Sequence, residues 1–413
     1  MPGPTSQVER VLRRLAAALT YRDYRVLWMG AFTSSIGTWM QKVAQSWLVL
    51  TLTGSSSAFF LGLDSFLGDL PILLLTMVGG AIADRRDRRQ MMLMSQYIQM
   101  GTAFALAALV FTGTIHIWHV LTLSCITGLA QAFGGPAYQS LLPLLVTKQD
   151  VPNAIALNSI QFNLARVVGP LLAGGALAAF GMVACFGLNG LSFVAVIIAI
   201  MSLRVTHIPS VSGQSLAHEM RTGFEHVRRD PSLLSVIVLA FSTSFLGLPV
   251  LTFLPLFVQD VFHAGVVQYT QMMAFSGAGA VFGALVVAWL GRFPGMGRRV
   301  LMLQLALGAI LVAFAASRVL IVSEVLLLAG GALLMMVSSL NTSLAQLLAP
   351  NELRGRVIGI YMVAFRGGMP LGSLVSGYLA NRLSAPTVLT INGVLLVAVA
   401  CSFLLRGQGV RDV

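Results

Sequence analysis

Lysine is almost missing from this chain. Only Lys42 and Lys148 occur in 413 residues, and neither closes the Gly-x-x-x-x-Gly-Lys-Ser/Thr pattern of a phosphate-binding loop. A Walker-type ATPase is therefore excluded. Charge of either sign is scarce: Asp, Glu, Lys and Arg make up 10% of the chain, against roughly 25% in soluble domains. So little charge cannot cover a soluble body of this size, and hydrophobic residues reach 57%. Lipid must be the solvent for much of the surface. The three cysteines, Cys125, Cys185 and Cys401, lie far apart in apolar runs, which fits neither a disulfide framework nor a zinc site. His116-x-x-His119 has no third ligand nearby, so no metal is expected. Without a nucleophile–base pair or a metal cluster, no enzyme is expected either, and no cofactor.

The charges that do occur sit in short bursts between apolar runs. The net charge of +12 therefore forms no basic face for nucleic acid. Asp84-Arg85-Arg86-Asp87-Arg88-Arg89 is the densest burst, with uncharged stretches from Leu70 to Ala83 and from Met91 to Thr112 on either side. About 20 mostly apolar residues cross a bilayer. That rule predicts spans at 25–52, 56–83, 90–112, 117–145, 152–179, 182–203, 232–257, 268–290, 299–316, 320–348, 353–379 and 385–405.

With the N-terminus inside, 21 of the 26 basic residues fall in cytoplasmic segments and only Arg318 and Arg382 outside; Lys42, Arg166 and Arg366 lie within spans. This asymmetry is the positive-inside rule, and it predicts a multi-pass protein with both termini cytoplasmic. Residues 1–24 read as a cytoplasmic amphipathic segment, since Val8, Val11, Leu12, Leu15 and Leu19 recur at helical spacing beside Arg10, Arg13 and Arg14. Residues 205–230 read as a cytoplasmic linker carrying a second amphipathic helix, with Leu216, Met220, Phe224 and Val227 on one face. Bundles of six helices are predicted at 25–204 and 231–406, followed by a tail at 407–413.

The two halves repeat at an offset of about 200 residues. Arg166-x-x-x-Pro170 returns as Arg366-x-x-x-Pro370, and Asn189-Gly190 returns as Asn392-Gly393. Arg88-Arg89 before Met91-Met92-Leu93 returns as Arg298-Arg299 before Leu301-Met302-Leu303. Three matches in the same order indicate duplication of a six-helix unit.

Polar residues inside the spans are the candidates for function. The first span carries Ser35, Thr38, Lys42, Gln45 and Ser46 on one helical stripe, with Gln41 beside it. Tyr138 and Gln139 mark the fourth span, Ser159, Asn163 and Arg166 the fifth, and Asn341 the tenth. Asp64 and Asp69 occupy the second span, about 140° apart around the helix. Lys42 and Asp64 share a depth of roughly 12–15 Å, so an ion pair fits, either as a structural neutralisation or as part of proton exchange. Asp69 has no obvious local partner and is the better proton site, because a desolvated carboxylate can hold a proton at neutral pH. Arg166 and Arg366 either bind backbone carbonyls freed by the prolines or hold an anion.

Gly80-Ala81-Ile82-Ala83-Asp84-Arg85-Arg86-Asp87-Arg88-Arg89 resembles the loop between helices 2 and 3 of the major facilitator superfamily, with Asp87 where a glycine is usual. The stretch from Trp39 to Ser55 is similar to the first span of the exporter branch that includes enterobactin exporters and macrolide efflux proteins. Arg166-Val167-Val168-Gly169-Pro170, followed by Gly174-Gly175, resembles the helix-5 motif of antiporters, without its regular glycine ladder.

The resemblance implies an all-α integral membrane fold: twelve transmembrane helices in two pseudo-symmetric six-helix bundles. It implies a secondary transporter that moves a small amphipathic organic molecule outward by alternating access, a siderophore or a drug-like compound, driven by a proton gradient. Helices 1, 4, 7 and 10 would line the cavity. Gly80, Asp84, Arg85, Arg88 and Arg89 would form a gating loop, with Asp84 facing the start of helix 11 at Asn351-Glu352-Leu353-Arg354. The expected setting is a bacterial-type cytoplasmic membrane and the expected state a monomer. Uptake or lysolipid flipping by the same fold is the alternative transport reading, and a non-transporting membrane receptor is the alternative outside transport.

Overall fold

The computed structural model describes residues 17–204, 224–291, 293–350 and 353–405. Most of the two predicted amphipathic segments and the tail lie outside these residues; of the linker, 224–229 is helical. No strand occurs among the described residues. The helices are α1 (Arg22–Thr53), α2 (Ser57–Arg85), α3 (Arg88–Phe111) and α4 (Ile117–Leu141). A continuous stretch, Val151–Met201, follows and is broken at Gly181; its two parts are α5 and α6. Then come α7 (Pro231–Asp260), α8 (Val266–Leu290), α9 (Met296–Ala316), α10 (Leu320–Leu348), α11 (Arg354–Leu383) and α12 (Ala385–Leu405).

Ten stretches among the described residues are long and apolar enough to cross a bilayer. One of them holds both α5 and α6. Adding α1, whose polar stripe lowers its mean hydropathy, gives the twelve predicted helices. Large apolar side chains such as Leu74, Met94, Ile198, Leu285 and Ile321 are exposed, as expected where lipid replaces water. The break at Gly181 has φ +75°, a backbone state that glycine alone adopts cheaply.

Capping follows the sequence signals. The Asp87 carboxylate accepts from the Arg89 N–H at 2.9 Å and the Gln90 N–H at 3.4 Å, starting α3. Asp230 does the same for Ser232 and Leu233 ahead of α7, with Pro231 at the first helical position. His116 and His119 cap α4: the His116 N–H donates to His119 Nδ1 at 3.0 Å.

By contact, the chain divides into two compact units. One runs through Ala44 and resumes at Leu74 to include α3–α6; the other joins Gln45–Leu73 to α7–α12. The division thus cuts through α1 and α2.

In the first unit α1 is seated on α5 by three aromatic donors on one face. Tyr21 Oη donates to Asp150 at 2.7 Å, Tyr24 Oη to the Ala154 carbonyl at 2.8 Å and Trp28 Nε1 to the Leu157 carbonyl at 3.0 Å. The repeat recurs as packing: Gly190 of α6 lies against the Phe104 ring of α3, and Gly393 of α12 lies against Gly308 of α9.

In the second unit small residues bring backbones together. A Cβ on Gly279 of α8 would stand 1.9 Å from the Leu328 carbonyl oxygen of α10, and one on Gly331 of α10 would stand 2.1 Å from the Ser276 carbonyl oxygen. Backbone cannot yield as a side-chain tip can. Gly279→Leu is therefore expected to lower stability by about 1–3 kcal/mol or more, seen as a lower melting temperature of the purified protein. Gly101→Leu, where nothing lies within 4 Å, should melt near the wild-type temperature.

Candidate functional site

The α1–α5 seam positions the cations of the first unit. Below the aromatic donors, Gln161 Nε2 of α5 donates to Ser35 Oγ of α1 at 2.8 Å. Two turns further on, a Cβ on Gly169 would lie 2.5 Å from the Trp39 Cβ and 2.9 Å from the Ile36 carbonyl oxygen. The Gly169-Pro170 motif is thus the floor against which Trp39 sits; Pro170 and Gly174 are buried.

Held in this way, the Trp39 ring meets two cations. Lys42 Nζ lies 5.5 Å from its centroid and the Arg166 guanidinium carbon 5.7 Å. Phe162 of α5 approaches the same ring edge-on, with centroids 6.1 Å apart. Arg166 is half-buried and Lys42 exposed. Among the described residues no carbonyl or carboxylate accepts from Arg166.

The other sequence candidates of this unit are distributed. Gln41 Oε1 accepts from Asn189 Nδ2 at 2.6 Å, which ties it into the seam with α6. Thr38 bonds back to the Ser34 carbonyl at 2.9 Å and Asn163 to the Ser159 carbonyl at 2.8 Å. Tyr138 donates to Asn158 Oδ1 at 2.6 Å, and Gln139 is exposed.

The turn between α2 and α3 reads as a set of helix caps. Arg88 reaches the Ala83 carbonyl at 3.3 Å and the Ser140 carbonyl at 3.4 Å. Arg89 Nε donates to the Ile200 carbonyl at 3.0 Å, and its Nη2 reaches the Met201 carbonyl. Cations at helix C-termini answer the unpaired carbonyls there. Nothing lies within 4 Å of a Cβ built on Gly80. The Asp84 and Arg85 side chains, and the expected partner at Asn351-Glu352, lie outside the described residues.

The second unit contains the carboxylates. Gln45 Nε2 donates to both oxygens of Asp64, at 3.0 and 2.8 Å. Asp69 is half-buried, and among the described residues it has no hydrogen-bond partner. In the same unit Trp47 stacks on Tyr269, with ring centroids 6.1 Å apart.

Asn341 is fully buried, and neither atom of its amide has a partner among the described residues. Arg366 is exposed, unlike its repeat mate Arg166. A π-turn at Thr243–Gly247 interrupts α7, a feature frequent at functional sites. Around it Gln304 of α9 accepts from Thr243 at 3.3 Å and donates to Ser242 at 3.3 Å.

Two side chains of the cation cluster, Trp39 and Phe162, were not among the sequence candidates. For Phe162 a signal exists in its spacing from Arg166, one turn apart on the face that also carries Ser159 and Asn163; Trp39 carries none.

The profile of a family described as "Transmembrane secretion effector" matches residues 15–408. Macrolide efflux protein A of Streptococcus pyogenes is 23% identical, over 91% of this chain and 94% of its own. The staphyloferrin A transporter of Staphylococcus aureus is 24% identical, over 90% and 93%. Among solved structures, a D-xylose–proton symporter superposes with a TM-score of 0.73 at 12% identity, covering 95% of this chain and 99% of that one. At that identity the likeness shows the fold.

Proposed function

We propose that this chain, which belongs to the transmembrane secretion effector family of the major facilitator superfamily, exports a small amphipathic organic molecule in exchange for protons. It is a multi-pass membrane transporter of small molecules, and its family comprises transporters, not enzymes. The finer reading is carried by one observation: Asp64 and Asp69 share a single apolar helix, α2, and Gln45 of α1 donates to one of them. Intramembrane carboxylates are costly and mark proton paths. The efflux relatives support outward movement, and macrolides and siderophores supply the first compounds to try.

The arginine asymmetry supports a cytoplasmic membrane with both termini inside. We read the working unit as a monomer, with no cofactor beyond the proton gradient.

Inside-out vesicles with an acid lumen test this. A radiolabelled macrolide, a carboxylate siderophore and a lysophospholipid are offered in turn. At least one is expected to accumulate, and a protonophore should abolish the accumulation. Accumulation only when the lumen is alkaline would indicate uptake by symport instead. Accumulation of the lysolipid alone would indicate flipping. No flux of any compound that the purified protein binds would indicate a receptor.

A further inference from the structure

The face of α5 that carries Arg166 is of mixed character. Ser159, Phe162, Asn163 and Arg166 lie along it, and Phe162 is 53% exposed. Ile160, Leu164 and Leu171, also exposed, lie on a separate and wholly apolar face suited to lipid. The polar face is therefore the wet one.

Arg166 is the charge on that face. The Trp39 ring attracts it, but a ring quadrupole is a weak counter-charge beside a carboxylate. The carbonyls that a merely structural arginine would cap do not accept from it among the described residues. The guanidinium fork stays available, and its planar donors match a carboxylate in bidentate fashion. Lys42 lies over the same ring, its Nζ 5.5 Å from the centroid. Phe162 and Trp39 meet edge to face, with ring centroids 6.1 Å apart and an interplanar angle of 66°, and together they make an apolar corner next to the charge.

We infer that Arg166, Trp39 and Phe162 form a recognition site for an amphipathic organic anion. Its carboxylate rests on the Arg166 fork and its aromatic or apolar body in the corner of Trp39 and Phe162. The inference rests on the export reading and narrows its cargo to acidic amphipaths over neutral or cationic ones. Gly169 belongs to the site as the positioning residue that lets Trp39 approach α5.

Binding to the full-length protein in nanodiscs tests this with two acid–amide pairs of equal shape: 2-naphthoate with 2-naphthamide, and pyrenebutyrate with its amide. Each acid is expected to bind roughly ten- to a hundredfold more tightly than its amide, the range of a charge-assisted hydrogen bond. Arg166→Gln should erase that preference without weakening the amides, and Arg166→Lys should keep part of it. Trp39→Ala should weaken acid and amide alike. Gel filtration of each variant verifies folding, and Arg166→Lys serves if the glutamine variant fails to assemble.

Equal binding of acid and amide by the wild type, or an unchanged preference in Arg166→Gln, overturns the site. Flux is read separately in inside-out vesicles. Acid preference without any flux would defeat the export reading and leave the site standing. Flux without acid preference would do the reverse.

Discussion

A leucine at Gly62 is expected to cut transport at least about fivefold while the protein still assembles. Within the second unit α2 and α11 touch backbone to backbone. A Cβ on Gly62 would lie 2.3 Å from the Ser373 carbonyl oxygen, and one on Gly377 would lie 2.7 Å from the Ala58 carbonyl oxygen. Ala58 and Gly62 on one helix, and Ser373 and Gly377 on the other, are pairs of small residues four apart, which is the membrane rule for close crossing.

On the export reading proposed above, this crossing is made and broken in each cycle. Bulk at Gly62 raises the energy of the joined state alone. Overpacking costs about 1–3 kcal/mol, which is a factor of roughly 5 to 140 in a two-state equilibrium. Gly62→Ala should fall between Gly62→Leu and the wild type. Gly101→Leu, in open surroundings, should transport normally. The measurement is the initial rate in inside-out vesicles, normalised to folded protein; a wild-type rate for Gly62→Leu would show that the crossing takes no part in the cycle.

Asp69→Asn is expected to lower pH-driven flux to the level of protein-free vesicles while exchange of labelled for unlabelled cargo continues. Asparagine keeps the shape and loses the titrating group. Asp64 has an amide donor on both oxygens from Gln45, so its charge is already answered. Asp69 lacks a hydrogen-bond partner among the described residues, and it is the coupling residue in the reading proposed above. Asp64→Asn retains one acceptor for Gln45 and should cost less, about tenfold, the value of a charge-assisted hydrogen bond made neutral. Equal losses in flux and exchange for Asp69→Asn would make Asp69 a binding or folding residue instead of a coupling one.

Much of the fold is legible in the chain because lipid imposes a simple rule. Each span must be apolar and each charge must leave the bilayer, so the arginine bursts and the runs between them mark the helices. The break at Gly181 was readable as a turn even though no polar loop surrounds it. The repeat was readable too, in Gly190 and Gly393, which recur in sequence and again in packing.

The site was less legible. Helical stripes show which residues share a face but not which helix they meet. Gln41 and Gln45 are one turn apart, yet one turns to Asn189 and the other to Asp64. Arg166 and Arg366 look equivalent in the repeat, but one lies half-buried over an indole and the other is exposed. Trp39 carries no sequence signal, because its role depends on the bare surface of Gly169, a tertiary contact that no periodicity reports.

Proton movement in reconstituted liposomes loaded with a pH-sensitive dye tests the central claim most directly. With no gradient imposed, cargo added on the cytoplasmic face should enter the lumen and turn it alkaline as protons leave. The signal should disappear in Asp69→Asn. Cargo entry by the wild type with no change in lumen pH would contradict proton exchange through the α2 carboxylates.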